Sequence, residues 1–165
     1  EGLDTRPTLD RVKEPLFSII FEKIPDADVL DLFSGSGALG LEALSRGAKS
    51  AVLCDNSKNA INIINKNLEK TRMTAEVINE DFSKALNKLS ARKFDLIFLD
   101  PPYKTDYIEK SISKILELNM LKNDGLIIAE TDNLQTVEKL EKMDITVKGT
   151  RKYGRVILVF LCQRG

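Results

Sequence analysis

The sequence predicts an α/β protein with one largely parallel β-sheet and helices on both faces. Short runs rich in β-branched and aromatic residues alternate with segments of helical apolar spacing, which is the pattern of βαβ units. Phe94–Leu99 and Leu126–Ala129 are almost continuously apolar, as expected of strands that are covered on both faces. The last two runs are joined by Thr150–Gly154, which is too short for a helical crossover. We therefore expect an antiparallel hairpin at the end of the sheet.

Seven strands are predicted, with helices between most of them. The predicted strands are Asp28–Phe33, Ser50–Asp55, Ala75–Asn79, Phe94–Asp100, Gly125–Glu130, Ile145–Gly149 and Arg155–Cys162. A first helix is predicted over Thr8–Lys23, with Thr8 as a candidate N-cap. Pro15 should kink this helix or delay its start. Helical spacing also marks Leu39–Arg46 and Ala60–Leu68.

Length and composition describe an ordinary globular chain. The 165 residues suffice for one core, so residues 1–165 are predicted to form a single domain. No apolar run approaches the ~20 residues that span a membrane, and the polar, acidic start is not a signal peptide. These features predict a cytoplasmic protein that has no contact with a membrane.

The cysteine and histidine content argues against metal chemistry. Cys54 and Cys162 each lie in an apolar stretch, which predicts buried, reduced thiols. The chain has no histidine, and so lacks the commonest metal ligand and the commonest general base at neutral pH. No metal site is predicted. The net charge of zero argues mildly against a nucleic-acid partner, because such proteins are usually basic.

A glycine-rich loop follows the first strand. Gly35, Gly37 and Gly40 match the G-x-G-x-x-G fingerprint between a strand and a helix, and Asp55 ends the second strand twenty residues after Gly35. A carboxylate at that distance accepts hydrogen bonds from ribose hydroxyls. A tight turn without a ligand is the structural alternative, but the spacing of Asp55 favours a nucleoside site.

Asp31 indicates which nucleoside binds. NAD is one candidate, but a carboxylate beside the loop is unfavourable near a pyrophosphate. It suits S-adenosylmethionine, which carries a cationic amino-acid tail and no phosphate. After the third strand, Asp81 can accept from an adenine amino group and Phe82 can pack on the ring. Glu80 and Asp81 could instead form an N-cap and an acidic first helical turn, and Asp81 could serve both purposes.

The fourth strand ends in Asp100-Pro101-Pro102-Tyr103. Two prolines stiffen the turn and remove two N–H donors, which leaves acceptors beside an aromatic face. An oxyanion needs donors, whereas an –NH₂ group on a planar ring needs two acceptors for its hydrogens. We therefore predict that Asp100 and the Pro101 carbonyl orient an exocyclic amine toward a methyl donor while Tyr103 stacks on the ring. A plain proline turn is the alternative.

These motifs resemble class I methyltransferases that modify amino groups. Three further stretches are similar to the bacterial RsmD-type family, which methylates the exocyclic amine of one guanine in small-subunit ribosomal RNA. These stretches are Arg6–Glu14, Gly37–Gly47 and Gly154–Val156. The resemblance implies a Rossmann-like class I methyltransferase fold, S-adenosylmethionine as cofactor, and ribosomal RNA as partner, free or in an assembling particle. We expect the chain to act as a monomer.

The resemblance also implies roles for individual residues. Asp31, Gly35 and Gly37 would hold the methionine end of the cofactor, Asp55 the ribose, and Asp81 with Phe82 the adenine. Residues 100–103 would hold the target base. The remaining predicted cofactor contacts are Phe33, Ser36, Asn56, Arg6 and Thr8. Arg6 and Thr8 would close over the cofactor or the RNA, and helix capping and a surface charge are the alternatives for these two.

The chain departs from the family pattern in two places. Pro15 stands where a helix former is usual. The chain also begins at Glu1, so we expect the family's basic, hairpin-like N-terminal extension to be missing or disordered, which would account for the neutral charge. The basic residues that remain to meet RNA are Arg6, Arg11, Lys13, Lys104, Arg151, Lys152 and Arg155, and each by itself is better explained as a solvated surface charge.

Three other functions compete with RNA methylation. An adenine-amino DNA methyltransferase shares the proline corner, but this chain has no room for the usual target-recognition region. An NAD-dependent oxidoreductase would need a proton-transfer residue, and none is evident near the fourth strand. A binding module that has lost its active site is disfavoured by the intact corner.

Overall fold

The structure is a computed structural model that describes residues 7–165, with side chains from Arg11 onward. Its strands are β1 (Asp28–Asp31), β2 (Ser50–Asp55), β3 (Glu76–Asn79), β4 (Phe94–Leu99), β5 (Leu121–Thr131), β6 (Thr146–Tyr153) and β7 (Val156–Cys162). They form one sheet in the order β3-β2-β1-β4-β5-β7-β6. Strands β1 to β5 pair in parallel, and β7 is antiparallel to both β5 and β6. The predicted seven-stranded, mostly parallel sheet with its terminal hairpin is confirmed.

Helices cover both faces of the sheet, as predicted. The helices are α1 (Pro7–Ile20), α2 (Ala38–Ser45), α3 (Lys58–Thr71), α4 (Phe82–Lys88), α5 (Tyr107–Glu117) and α6 (Leu134–Glu141). Helices α1, α2 and α3 bury Phe17, Ala43 and Ile64 against one face. Helices α4, α5 and α6 bury apolar side chains such as Leu86 and Ile112 against the other. None of the helices in residues 7–165 is long and apolar enough to cross a membrane.

The first helix differs from the prediction at its start. The helix already includes Pro7, so Thr8 is a helical residue rather than the N-cap. Pro15 lies inside the helix and does not delay it. A 3₁₀ turn over Phe21–Lys23 follows, which accounts for the predicted extension to Lys23.

The hairpin is longer than predicted, and its turn is tighter. Strand β6 continues to Tyr153, so only Gly154 and Arg155 connect it to β7. Gly154 has a φ of 62°, and Arg155 is not among the positive-φ residues. This is the pattern of a type II′ turn, which matches the twist of the two strands. The five-residue connection predicted from the sequence was wrong.

The strand order determines where a ligand can bind. From β1 the chain moves outward to β2 and β3, and it then returns to β4 on the other side of β1. Such a reversal opens a crevice beyond the carboxyl ends of the two central strands. Asp31 is paired with Phe98 in the β1–β4 register, so the end of β1 and the turn after β4 flank the same crevice.

Candidate active site

The glycine loop crosses the crevice between three strands. The amide of Leu32 donates to the Phe98 carbonyl (3.2 Å), and the amide of Ser34 donates to the Cys54 carbonyl (2.8 Å). Gly35 and Gly37 have φ values of 58° and 87°, a left-handed backbone that favours glycine. These conformations turn the chain sharply from β1 into α2.

Asp31 is buried at the start of this loop. It is only 1% exposed, and its Oδ2 accepts a hydrogen bond from the Gly40 amide at 3.0 Å. Its Oδ1 has no hydrogen-bond partner among the described residues. Burial raises the pKa of Asp31 from 3.8 to about 7, although the bond from Gly40 acts in the opposite direction. A cation beside Oδ1 would compensate this burial.

Gly40 explains why Asp31 and α2 come so close together. A Cβ on Gly40 would collide with Leu53 Cδ2 and would lie 3.4 Å from Asp31 Oδ2. The third glycine of the fingerprint therefore permits close packing of α2 on β1 and β2.

Asp55 ties the glycine loop to the end of β2. Its Oδ2 accepts from the Gly35 amide and its Oδ1 from the Ser57 amide, both at 2.9 Å. Each carboxylate oxygen has a second lone pair, so the side chain retains acceptor capacity for ribose hydroxyls. The predicted neighbours Ser36 and Asn56 are exposed, and the Ser36 carbonyl accepts from Asn67 Nδ2 at 3.0 Å.

Asp81 caps helix α4. Its Oδ1 accepts from the amides of Ser83 (2.9 Å) and Lys84 (3.1 Å). Both bonds use the same oxygen, so Oδ2 takes part in neither. The capping interpretation of Asp81 is therefore correct, and it leaves an acceptor for an adenine amino group.

Three aromatic rings pack together beside Asp81. Phe82 lies 5.4 Å from Phe33 and 4.8 Å from Tyr107 between ring centroids. Phe33 and Tyr107 are stacked, with centroids 6.2 Å apart and planes 6° apart. All three rings are half-buried. They form an apolar platform at the ends of β1, β3 and β4 that suits a flat ring such as adenine.

The Asp-Pro-Pro-Tyr corner follows β4. Asp100 is only 5% exposed, Pro101 is buried and Pro102 is exposed. Thr105 Oγ donates to the Pro102 carbonyl at 2.9 Å, and Lys104 adopts a left-handed backbone with φ of 65°. The corner is thus a compact turn that carries a buried carboxylate.

Tyr103 is held by a neighbouring strand. Its hydroxyl donates to Glu130 Oε2 at 3.0 Å, and Glu130 is 4% exposed near the end of β5. The corner also borders a crevice of about 20 Å³ with Thr131 and Thr136. That volume suits a water molecule rather than a nucleobase. The crevice itself is therefore too small to hold a planar ring.

The structure brings most of the predicted site residues to one edge of the sheet. Two of them are exceptions, because Arg6 and the side chain of Thr8 lie outside the described residues. Sequence reasoning did not name Tyr107 or Glu130 as site residues, and it named Gly40 only as part of the fingerprint. The chemical roles of all these residues remain predictions.

The structure also describes both cysteines and the possible metal ligands. Cys54 is buried as predicted, but Cys162 is half-buried, and both are free thiols. Burial and nearby carboxylates raise the pKa of Cys54, so this thiol is unreactive. Among the side chains that the structure describes, no group of three or more from Cys, Asp or Glu could hold a metal. The absence of a metal site stays a prediction.

A mostly parallel sheet of this order, with a glycine loop after β1 and a buried carboxylate after β4, is the Rossmann-like fold of the class I methyltransferases. A solved structure of the methyltransferase yhhF from Escherichia coli shares it, with a TM-score of 0.83 at 30% identity over 97% of this chain and 88% of that one. A conserved hypothetical protein of Streptococcus pyogenes superposes with a TM-score of 0.80 at 28% identity, covering 93% of this chain and 96% of that one. A hypothetical protein of Thermus thermophilus gives 0.80 at 26%, covering 98% and 90%.

The comparison of sequences identifies the family to which the chain belongs. The family model described as Conserved hypothetical protein 95 matches residues 1–162, and the chain belongs to that family. Ribosomal RNA small subunit methyltransferase D of Haemophilus influenzae is 44% identical over 138 residues, which cover 80% of this chain and 69% of that protein.

Proposed function

We propose that this chain transfers a methyl group from S-adenosylmethionine to the exocyclic amine of a guanine in small-subunit ribosomal RNA. The observation that carries the proposal is that the Asp100–Tyr103 corner and the glycine loop lie at the same edge of the sheet. Both flank the same crevice. The family relationship and the relative named ribosomal RNA small subunit methyltransferase D support ribosomal RNA as the substrate.

The residues present fit S-adenosylmethionine. The Oδ1 atom of Asp31, which has no hydrogen-bond partner among the described residues, matches the ammonium of the amino-acid tail, and Asp55 offers acceptors for the ribose hydroxyls. Asp81 Oδ2 and the ring of Phe82 match the adenine. When bound, the cofactor supplies a methyl group on a sulfonium, which is already a good electrophile.

The corner would act on the target base. We propose that Asp100 and the Pro101 carbonyl accept the two amino hydrogens, while Tyr103 stacks on the ring. This arrangement holds the nitrogen lone pair out of conjugation and directs it at the methyl carbon. Asp100 would also be the acceptor for the proton that the nitrogen loses when it is methylated. Positioning then supplies most of the acceleration, and no histidine is required.

The proposal includes the setting in which the chain works. The target guanine has to leave its stack to reach the corner, as for other enzymes that act on a base. We propose that residues 1–165 act as one domain and as a monomer. A ribosomal substrate, free or in an assembling particle, implies a cytoplasmic protein.

The test is methyl transfer from labelled S-adenosylmethionine to small-subunit RNA. A free transcript and unmethylated small-subunit particles should be compared, and the modified base mapped. We expect label on a guanine exocyclic amine. Label on adenine in DNA but not on RNA would contradict the proposal and favour the DNA methyltransferase alternative.

Asp100→Ala tests the role of the corner. We expect turnover to fall at least a hundredfold while S-adenosylhomocysteine still binds, because Asp100 is proposed to touch the base rather than the cofactor. Asp144→Ala, which changes an exposed carboxylate, is the matched control and should keep full activity. Turnover that survives in Asp100→Ala would disprove the proposed pair of acceptors.

A further inference from the structure

Positive charge is concentrated at the carboxyl end of this neutral chain. The last 21 residues contain five basic residues and no acidic residue. The chain as a whole has 25 of each, so the first 144 residues carry an excess of acidic side chains. Most of this basic segment is the β6–β7 hairpin.

The hairpin brings part of this charge to the edge of the sheet that carries the site. Because β7 is antiparallel to β5 and pairs Ile157 with Thr131, the Gly154–Arg155 turn lies at the carboxyl end of β5. In the same register, Arg151 is opposite Leu158, which is opposite Glu130. Two strand spacings therefore separate Arg151 from Glu130, or about 10 Å between Cα atoms.

Helix α1 adds a cation at the same turn. The Nη2 atom of Arg11 would lie 3.0 Å from a Cβ on Gly154, so this guanidinium covers the turn. We call Arg11, Arg151, Lys152 and Arg155 the hairpin patch. All four are exposed.

The charges of the hairpin patch are not compensated within the described part of the chain. No described carboxylate lies within 4.0 Å of these four cations, whereas Lys13 and Arg46 nearby both pair with Glu42. Arg151 donates to the neutral carbonyl of Thr150 at 3.1 Å. Like charges gathered without counter-charges repel one another, and they create a positive potential suited to a polyanion.

We infer that the hairpin patch binds backbone phosphates of the RNA on either side of the target base. The inference rests on the proposed function and extends it by assigning a surface to the RNA. The distance from Arg151 to Glu130, which holds Tyr103, places the patch within reach of nucleotides that flank a base in the corner. Phosphate contacts of this kind position a nucleic acid without reading its sequence.

Protection of the edge strand is the competing explanation. Exposed Lys and Arg on an edge strand prevent it from pairing with other chains, and β6 is such an edge. Charged residues anywhere along β6 would protect the edge. Three of the four patch residues instead cluster within five positions around the turn. The two explanations also predict different defects.

The test is the triple variant R151Q/K152Q/R155Q in the full chain. RNA binding is measured by filter retention of a small-subunit ribosomal RNA transcript at several salt concentrations. We expect at least tenfold weaker binding near 0.15 M salt, and a plot of log affinity against log salt that is shallower by about one unit for each lost phosphate contact. The KM for RNA should rise while kcat and S-adenosylhomocysteine affinity stay unchanged.

The matched control is K49Q/K66Q/K70Q, which removes the same charge from exposed positions away from the hairpin. We expect it to bind RNA like the unmodified chain. Equal losses in both variants would show a bulk charge effect, and unchanged binding in the patch variant would also overturn the inference. Self-association of the patch variant with normal RNA affinity would favour edge protection instead.

These results are separable from failure of the proposed function. If the unmodified chain transfers no methyl group to RNA, the proposed function fails, whatever the variants do. If it does transfer a methyl group and the patch variant does so with an unchanged KM for RNA, only the hairpin inference fails.

Discussion

Asp31 is the residue whose chemistry depends most on its surroundings. With a pKa of about 7, it is largely protonated below neutrality in the ligand-free protein. Because this pKa is above the ordinary value, the stability contributed by the protonated carboxyl is fully present below about pH 4 and is lost as the pH rises through 7. An ammonium beside Oδ1 would favour the ionised form.

We therefore predict that binding of S-adenosylhomocysteine strengthens as the pH rises. Between pH 5.5 and 7.5 the ionised fraction of a group with a pKa near 7 increases about 25-fold, and the association constant should increase by up to that factor. This range stays below the pKa of a typical α-amino group. Titration calorimetry in matched buffers measures the affinity and the proton release.

Asp31→Asn provides the contrast. This variant should bind weakly and without pH dependence over the same range, whereas Asp124→Asn, at an exposed site, should behave like the unmodified chain. A flat profile in the unmodified protein would show that Asp31 does not meet the cofactor's amino group.

Tyr103 and Glu130 form the second pair that can be tested at the residue scale. The hydroxyl–carboxylate bond of 3.0 Å fixes the ring that is proposed to stack on the base. We expect Tyr103→Phe and Glu130→Leu each to raise the KM for RNA, and their effects on kcat/KM to be coupled by about 1–2 kcal/mol in a double-mutant cycle. Glu130→Gln, which keeps an acceptor, should retain most activity. Strictly additive losses would mean that Glu130 does not act through Tyr103.

Local sequence patterns identified some of these residues and missed others. Asp31, Asp55 and Asp100 each end or follow an apolar strand, so their positions at one edge follow from the alternation of strands and helices. Glu130 has the same signal, because it ends the run Leu126–Ala129, but no motif marked it. Tyr107 has no such signal, since its contacts with Phe33 and Phe82 arise only when α5 packs beside β1 and α4.

Helix α2 shows how one element positions the cofactor site. Its first turn contains Gly40, whose amide binds Asp31 and whose missing side chain admits Leu53. The position of the whole glycine loop therefore depends on the contact between this helix and two strands.

We predict that Gly40→Ala destabilises the protein by about 1–3 kcal/mol, the usual penalty for overpacking. It should also weaken S-adenosylhomocysteine binding, because either α2 or the buried Leu53 side chain must move to admit the new Cβ next to Asp31. Urea unfolding and calorimetry measure the two effects. Gly149→Ala is the control, since its new Cβ would meet only Arg151 Nη1 at 3.9 Å. Equal stability of the two variants would contradict the packing argument.

The hairpin shows where sequence patterns fail at the scale of an element. Strand β6 is an edge strand in which no residue is fully buried. Its end therefore lacks the apolar alternation by which a half-buried strand is recognised. Arg151 and Lys152 therefore read as loop residues, although they continue the ladder to Tyr153. The buried strand β7 is apolar along its whole length, and its predicted start differs from the observed one by a single residue.

At the scale of the whole molecule, the carboxylate that the fold buries at the end of β1 distinguishes between two nucleoside cofactors. S-adenosylhomocysteine and NAD both contain adenosine, so the ribose and adenine sites cannot separate them. The difference lies at the end of β1, where one ligand presents an ammonium and the other a pyrophosphate. A buried carboxylate at the end of β1 favours the ammonium of S-adenosylhomocysteine and repels the pyrophosphate of NAD.

We predict that S-adenosylhomocysteine raises the melting temperature and that NAD does not. A ligand at a hundred times its Kd stabilises the folded state by about 2.7 kcal/mol, which corresponds to roughly 5–10 °C for a chain of this size. Adenosine is the control, and it should give a small shift that reports the shared part of the site. Scanning calorimetry at equal ligand concentrations measures all three. A larger shift with NAD would reverse the assignment of Asp31 and favour the oxidoreductase alternative, because the fingerprint and Asp55 alone are compatible with both cofactors.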